Sequence, residues 1–254
     1  MKSNGCRDGG MVDTRDLKSL DQEWLCGFES RSRHIFIFPL TMMKNNIEWS
    51  ENVILADADY VDAVAFNLTV NFERMLGRRV PQADMAQWAE CVAMDGGKNS
   101  PETTKAPSDP SKRREEEGVQ VVLVHEREHT SLKNFTPGNY AEELEGKAVQ
   151  SRVGEIVFNT VQTEEMAPKE LLLKELLQLL CQQKAVKRLM VVVDDMMVNA
   201  LRPILQRNDS DERRTTLLTM QPVQGGAYRH VLLGYSLMAA LGISSREIEE
   251  KLKN

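Results

Sequence analysis

Short apolar segments alternate with amphipathic segments along most of this chain. The segments with the character of buried strands are residues 53–56, 119–124, 155–158, 189–193 and 215–220. Strands that are apolar on both faces belong in a parallel sheet that helices cover on both sides. The sequence therefore predicts an α/β fold, a three-layer sandwich with a mainly parallel central sheet.

The intervening segments repeat apolar residues with helical spacing. Val61, Val64, Leu68, Phe72 and Met75 give the first such face. Further helices are predicted from Asp84 to the Gly96-Gly97 stop, after Asn139 with Glu142 as a capping box, after Pro168, around Pro203, and over 228–241 and 244–252. This assignment puts His230 in a helix, as a packed or solvated residue.

Two regions have compositions that disfavour a packed core. Residues 1–50 are polar and glycine-broken, so we expect a poorly ordered extension before a single α/β domain at 51–254. The run MKNNIEWSENVILADAD, from Met43, is typical of the opening of a domain, which makes residues 1–42 dispensable in this interpretation. Residues 98–118, KNSPETTKAPSDPSKRREEEG, lack large apolar residues and predict a flexible insertion.

Composition narrows the classes of function. The net charge of −6 weighs against sequence-blind nucleic-acid binding, although it leaves a nuclease open. The four cysteines, Cys6, Cys26, Cys91 and Cys181, form no C-x-x-C pair, which favours reduced thiols over disulfides or a cysteine zinc site. No run approaches the roughly 20 apolar residues of a membrane span, and no signal-peptide pattern opens the chain. We expect no membrane association and a cytoplasmic location.

Acidic residues follow several of the predicted strands. These are Asp57 and Asp59, Glu126, Glu164 and Glu165, and Asp194 and Asp195. Ligands of such sheets bind at the carboxyl ends of the strands, and carboxylate oxygens suit Mg²⁺ or Mn²⁺. The sequence predicts a divalent-metal site with ligands Asp57, Asp59, Glu165, Asp194 and Asp195, in which Asp57 and Asp194 are catalytic.

Each acid also has a purely structural interpretation. Asp59 can be the N-cap of the first helix, with Asp62 at N3. The pairs Glu164-Glu165 and Asp194-Asp195 precede helices, whose positive ends favour acids. Asp57 requires a further explanation, because a carboxylate at the end of an apolar strand must be paired, used as a helix cap or bound to a metal.

The stretch VLVHEREH contains His-Glu-x-x-His, the zinc-protease signature. That chemistry needs both histidines on one helix face. Here the motif continues an apolar strand, and Thr130 and Ser131 follow it. We therefore interpret His125 as a strand end and His129 as a surface loop residue, with no peptidase.

The order of elements and acids over residues 53–220 resembles the PIN/NYN-like nucleases. In that family the acids form a Mg²⁺ or Mn²⁺ site that cleaves RNA. The resemblance implies Asp57 as the first-strand acid, Glu165 as the middle acid, and Asp194 or Asp195 as the fourth-strand acid. RNA is then the expected partner.

The stretches VILADADYV and LMVVVDD also resemble the haloacid dehalogenase-type phosphatases. That resemblance implies Asp57 as nucleophile, Asp59 as acid/base, Lys169 as charge stabiliser and Asp194 or Asp195 as metal ligand. The chain departs from the pattern at His125, where that family has Ser or Thr, and at Tyr60, where it has Gly.

Three functions follow as expectations. The first is a PIN/NYN-like, metal-dependent ribonuclease; the second is a haloacid dehalogenase-type phosphatase; the third is a non-catalytic module that binds a protein through its C-terminal helices. The stretch ILADADYVDAVAFNLTVNFERMLGRR also resembles an uncharacterised bacterial family, which implies no activity.

Overall fold

A computed structural model describes residues 48–98, 118–207, 213–223, 225–226 and 228–253. The extension predicted at 1–50 lies outside this description except for its last three residues. The insertion predicted at 98–118 lies outside it except for its two end residues. Both remain predictions.

Among the described residues, seven strands form one sheet, in which one edge strand runs antiparallel to its neighbour and the others run parallel. The strands of the described chain are β1 (Asn52–Asp57), β2 (Ala83–Asp84), β3 (Val119–His125), β4 (Phe135–Thr136), β5 (Ala148–Ser151), β6 (Gly154–Gln162), β7 (Arg188–Val192), β8 (Arg214–Thr219) and β9 (Arg229–Leu232). The order in the sheet is β5-β6-β3-β1-β7-β8-β9, and β2 pairs with β4 separately. Strand β1 is thus central, between β3 and β7.

Helices cover both faces of this sheet. They are α1 (Ala58–Leu76), α2 (Met85–Asp95), α3 (Lys169–Gln182), α4 (Asp195–Arg207), α5 (Leu233–Ala240) and α6 (Ser245–Leu252). Ile54 and Ala56 of β1 share one core with α1, α2 and α5. On the other side α3 contacts β3 and packs on α4. The predicted α/β class with a mainly parallel sheet is confirmed.

The apolar patterns explain the packing of the layers. All six residues of β1 are buried, as expected of a strand covered on both sides. In α3 the leucine stripe that includes Leu173, Leu176, Leu177 and Leu180 is fully buried. Burial of a leucine side chain contributes about 1.5–3 kcal/mol, so this stripe is a main anchor of α3 and of the residue that begins it, Lys169.

The prediction of one helix over 228–241 was wrong in its first part. Residues Arg229–Leu232 form β9, parallel to β8, and α5 begins only at Leu233. The backbone N–H and C=O groups of β9 pair with those of β8. The spacing of apolar side chains, on which the helix prediction depended, carries no information about this pairing. His230 accordingly lies in a strand, with Nε2 2.8 Å from the Thr219 hydroxyl.

The predicted capping box after Asn139 exists with a different partner. Asn139 Oδ1 accepts hydrogen bonds from the N–H groups of Ala141 and Glu142. The carboxylate that closes the box is that of Glu143, which accepts from the Asn139 and Gly138 N–H groups at 2.9 Å. The following turn, Tyr140–Leu144, is π-helical, and its wider spacing brings the fourth residue after the cap into this role.

Candidate active site at the carboxyl edge of the sheet

Four neighbouring parallel strands end at the same edge of the sheet. Strands β6, β3, β1 and β7 are adjacent in that order. Thr163 and Lys169 follow β6, Glu126 and His129 follow β3, Asp57 ends β1 and Asp59 comes after it, and Asp194 and Asp195 follow β7. Chain segments far apart in sequence therefore deliver polar side chains to one place, as the strand pattern predicts.

A lysine joins the two acids of β1 and α1. The Lys169 ammonium donates to Asp57 Oδ1 at 2.7 Å and to Asp59 Oδ2 at 2.8 Å. The exposed fractions of the side chains are 16% for Lys169, 5% for Asp57 and 16% for Asp59. Charge-assisted bonds in so sheltered a position hold all three groups in one geometry.

Asp57 is both paired and used as a helix cap. Its Oδ1 also accepts the Tyr60 N–H at 3.1 Å, which makes Asp57 the N-cap of α1. The interpretation of Asp59 as that cap was wrong, because the helix begins at Ala58, two residues earlier than a cap at Asp59 would place it. No described residue donates a hydrogen bond to Asp57 Oδ2. The lone pairs of Asp57 Oδ2 are therefore available to a ligand or a reactant.

Asp59 has donors on both oxygens. Oδ2 accepts the Glu126 N–H at 2.9 Å in addition to Lys169. Oδ1 lies 2.6 Å from Nδ1 of His129. Asp59 is thus the link between the Lys169 pair and the loop that follows β3.

Burial and pairing act on the ionisation of the cluster in opposite directions. Burial raises the pKa of Asp57 above its usual range despite the nearby ammonium. Burial acts the same way on Asp59, but the hydrogen bonds from Lys169, Glu126 N–H and His129 outweigh it and lower its pKa. Burial opposes the charged form of Lys169, and the two carboxylates overcome it and raise its pKa. The ammonium therefore stays charged between its partners.

The acids after β7 lie near the same edge and also serve as local caps. Asp194 Oδ1 accepts the Met196 N–H at 2.9 Å, and Asp195 Oδ1 accepts the Gln221 N–H at 3.3 Å. Burial, and then the charges of Asp195, Asp194 and Asp57, raise the pKa of Tyr60. The Tyr60 hydroxyl accepts the Met220 N–H. Its pKa is thus raised both by Asp57 at the end of β1 and by the two acids after β7.

Glu165 stands apart from the Lys169 cluster. Its side chain is 86% exposed, and its ion-pair partner is Arg127, at 3.9 Å. Within the described ranges no three His, Cys, Asp or Glu side chains group closely enough to enclose a metal ion. The five predicted metal ligands share an edge of the sheet without forming one cage.

The HEREH motif has the strand-and-loop geometry that the sequence predicts. His125 is the last residue of β3 and stacks on Tyr140 with ring centroids 3.8 Å apart. His129 lies in the following loop with its side chain 53% exposed. The two histidines have different partners, so the motif does not form a helical zinc site. Sequence reasoning missed the bond between His129 and Asp59, and the signal for it was the position of His129 just beyond a strand adjacent to β1.

Residues 46–248 match the model of a protein family described as "Family of unknown function (DUF6621)". The chain belongs to this family. The match spans every strand and all the edge residues described above. No curated protein and no solved structure matches the chain. Among the described residues, no helix is both long and apolar enough to cross a membrane.

Two cavities adjoin the cluster and share His129 as a wall. One, about 790 Å³, lies between the loops after β3 and β6, and Thr163 and Pro168 are among its lining residues. The other, about 450 Å³, lies between α1 and the segment 129–140, and Asp59 is in its wall. Both are within the size range of small-molecule sites, about 300–1,000 Å³.

Proposed function

We propose that this chain is a phosphomonoesterase in which Asp57 is the nucleophile. The observation that supports the proposal is the Lys169 ammonium bonded to both Asp57 and Asp59 while Asp57 Oδ2 has no donor among the described residues. This is the set of roles that the resemblance to haloacid dehalogenase-type phosphatases implies. A ribonuclease site of the PIN/NYN-like type gives no reason for a lysine between its acids.

The reaction divides into two displacements at phosphorus. Asp57 Oδ2 attacks, an Oδ2–P bond forms, and the ester P–O bond breaks, so that the leaving oxygen takes the electron pair and then a proton. Solvent water supplies that proton, because Asp59 has donors on both oxygens and a lowered pKa and is therefore ionised. Water then attacks the phosphorus and gives a proton to the Asp59 carboxylate, which passes it to solvent; the Oδ2–P bond breaks with its electron pair left on Asp57, and phosphate results. Lys169 keeps Asp57 oriented and offsets its charge against the phosphoryl group.

Few carboxylate oxygens at this edge are available to bind a divalent ion. Asp57 Oδ2 and the second oxygens of Asp194 and Asp195 accept no hydrogen bond from described residues, whereas both oxygens of Asp59 do. Mg²⁺ commonly uses one or two protein carboxylates and completes its shell with water and phosphate. Asp194 and Asp195 would hold it through their second oxygens, and it would offset phosphoryl charge, while Asp57 Oδ2 stays available as the nucleophile. Glu165 and Asp59 are not part of this proposed set.

Metal-dependent cleavage of RNA remains a second candidate. The supporting observation is that the acids of β1 and β7 stand at the ends of neighbouring parallel strands, and that the charges of Asp57, Asp194 and Asp195 all raise the pKa of Tyr60. The separation of Glu165 from them counts against this alternative. A non-catalytic role with a protein partner at the C-terminal helices, and a cytoplasmic location, stay predictions from the sequence.

The decisive experiment traps the intermediate. The protein is mixed with acetyl phosphate or 4-nitrophenyl phosphate, in one sample with Mg²⁺ and in a second sample with a chelator. Each sample is quenched in acid, and its peptides are analysed by mass spectrometry. We expect phosphate on Asp57, and loss of both the adduct and turnover in Asp57→Asn. The matched control is Asp84→Asn, which keeps an N-cap of α2 far along the chain from the site. An unmodified Asp57 with cleavage of an RNA oligonucleotide instead would replace this proposal with the nuclease.

A further inference from the structure

The cavity between α1 and segment 129–140 adjoins the proposed active site. Asp59 is in its wall, two residues from the proposed nucleophile. The part of a phosphate ester beyond the breaking bond needs room beside the reacting carboxylate. The cavity therefore lies where the leaving group would be bound.

An aromatic ring and a tyrosine hydroxyl line this cavity. Phe66 of α1 is 53% exposed and is part of the wall. The Tyr140 ring is held against His125, and the residue as a whole is 3% exposed. Its hydroxyl forms no hydrogen bond with any described residue and keeps some exposure to the cavity, so it is available to donate to a ligand there.

The charged groups around the cavity are of both signs. Asp59 shares the Lys169 ammonium with Asp57, and the wall also carries Asp62, Lys133 and His129. Asp62 accepts hydrogen bonds from Asn134, and Lys133 forms no ion pair with a described residue. The wall therefore has no excess of positive charge that would select an anionic leaving group.

We infer that this cavity binds the leaving group of the substrate, and that this group is an uncharged planar ring bearing a hydrogen-bond acceptor. Phe66 contacts the face of the ring, and the Tyr140 hydroxyl donates to the acceptor. Burial, and then the charges of Asp59, Asp62 and Asp57, raise the pKa of Tyr140, so the hydroxyl keeps its proton at neutral pH. The inference rests on the proposed phosphomonoesterase activity.

The test compares three esters: 4-acetylphenyl phosphate, which carries the acceptor, 4-ethylphenyl phosphate, which lacks it, and acetyl phosphate, which lacks the ring. Tyr140→Phe should lower kcat/KM about 2- to 10-fold for the acetylphenyl ester alone, the value of one hydrogen bond. Phe66→Ala should lower it about 2- to 10-fold for both aryl esters and leave acetyl phosphate unchanged. Because each variant meets the same leaving groups as the wild type, differences in intrinsic reactivity cancel.

Tyr235→Phe is the matched control, since Tyr235 is 69% exposed on α5 and outside the cavity lining. It should leave all three rates unchanged. Equal losses for all three esters in Tyr140→Phe, or no loss in either cavity variant, would overturn the inference.

A binding measurement separates this inference from the proposed function. The product 4-acetylphenol is titrated into wild type, Tyr140→Phe and Tyr235→Phe, with amide chemical shifts as the readout. Binding weakened only in Tyr140→Phe supports the cavity assignment even if no ester is hydrolysed, in which case the phosphatase proposal fails alone. Turnover without any effect of Tyr140→Phe on rate or product binding would leave the phosphatase standing and refute the cavity assignment.

Discussion

Replacement of Lys169 by methionine should destabilise the protein strongly and in a pH-dependent way. Methionine keeps much of the length and apolar surface of the stem and removes the ammonium. Asp57 and Asp59 would then be two neighbouring carboxylates, 5% and 16% exposed, with no cation between them. Removal of one partner of a buried ion pair costs about 3–5 kcal/mol.

The partial solvation of Asp59 and its bond to His129 reduce that cost. We expect the free energy of unfolding to fall by about 2–4 kcal/mol at neutral pH. For a domain of this size that is a decrease in Tm of about 4–15 °C, measurable by circular dichroism. The matched control is Lys184→Met, because Lys184 is exposed and forms no ion pair with a described residue.

The pH dependence identifies the cause. Without Lys169 the folded-state pKa of Asp57, already raised by burial, rises further, and that of Asp59 rises from its lowered value, so the folded variant binds more protons than the folded wild type as the pH falls. The stability deficit should therefore be largest at neutral pH and shrink as the pH falls through these raised values. A second replacement, Asp59→Asn, should recover part of the deficit in the Lys169→Met background. A deficit equal to that of Lys184→Met, or one that does not change with pH, would refute the proposed electrostatic role.

Three further predictions concern other parts of the described chain. The Cys181 thiol, whose pKa burial raises to about 11, should be alkylated slowly at pH 8, where about one molecule in a thousand carries the thiolate; fast labelling of its peptide in the native protein would contradict this. Asp84→Ala removes the carboxylate that accepts the Gln87 N–H and should cost about 1 kcal/mol in urea unfolding, whereas Asp84→Asn should cost much less. Gly96→Ala puts a methyl group against the buried Met190 side chain and should cost about 1–3 kcal/mol, and a Tm within error of wild type would show that Met190 has room to move.

The sequence predicted the sheet well because the strands are apolar on both faces. A strand such as VILA at 53–56 has few alternatives to the centre of a parallel sheet. It predicted β9 wrongly, because residues 229–232 pair through backbone groups at an edge, where side-chain spacing carries little information. The edge hairpin of β5 with β6 was missed for the same reason.

The candidate site was predicted as a location more fully than as a set of contacts. Acids after parallel strands must share an edge, so Asp57 and Asp194 were identifiable from the pattern alone. Lys169 was identified only through a family resemblance. Which donor each carboxylate oxygen meets depends on loop conformations that no local pattern encodes.

The sequence by itself therefore determined the alternation of strands and helices and the edge at which polar residues collect, because burial of apolar faces leaves few arrangements. Only the tertiary structure decided that Lys169 lies between Asp57 and Asp59, that His129 is bonded to Asp59, and that Glu165 stands apart. These contacts join residues about 70 to 110 positions apart, and their geometry is set by the packing of α3 and the loop after β3 on the sheet.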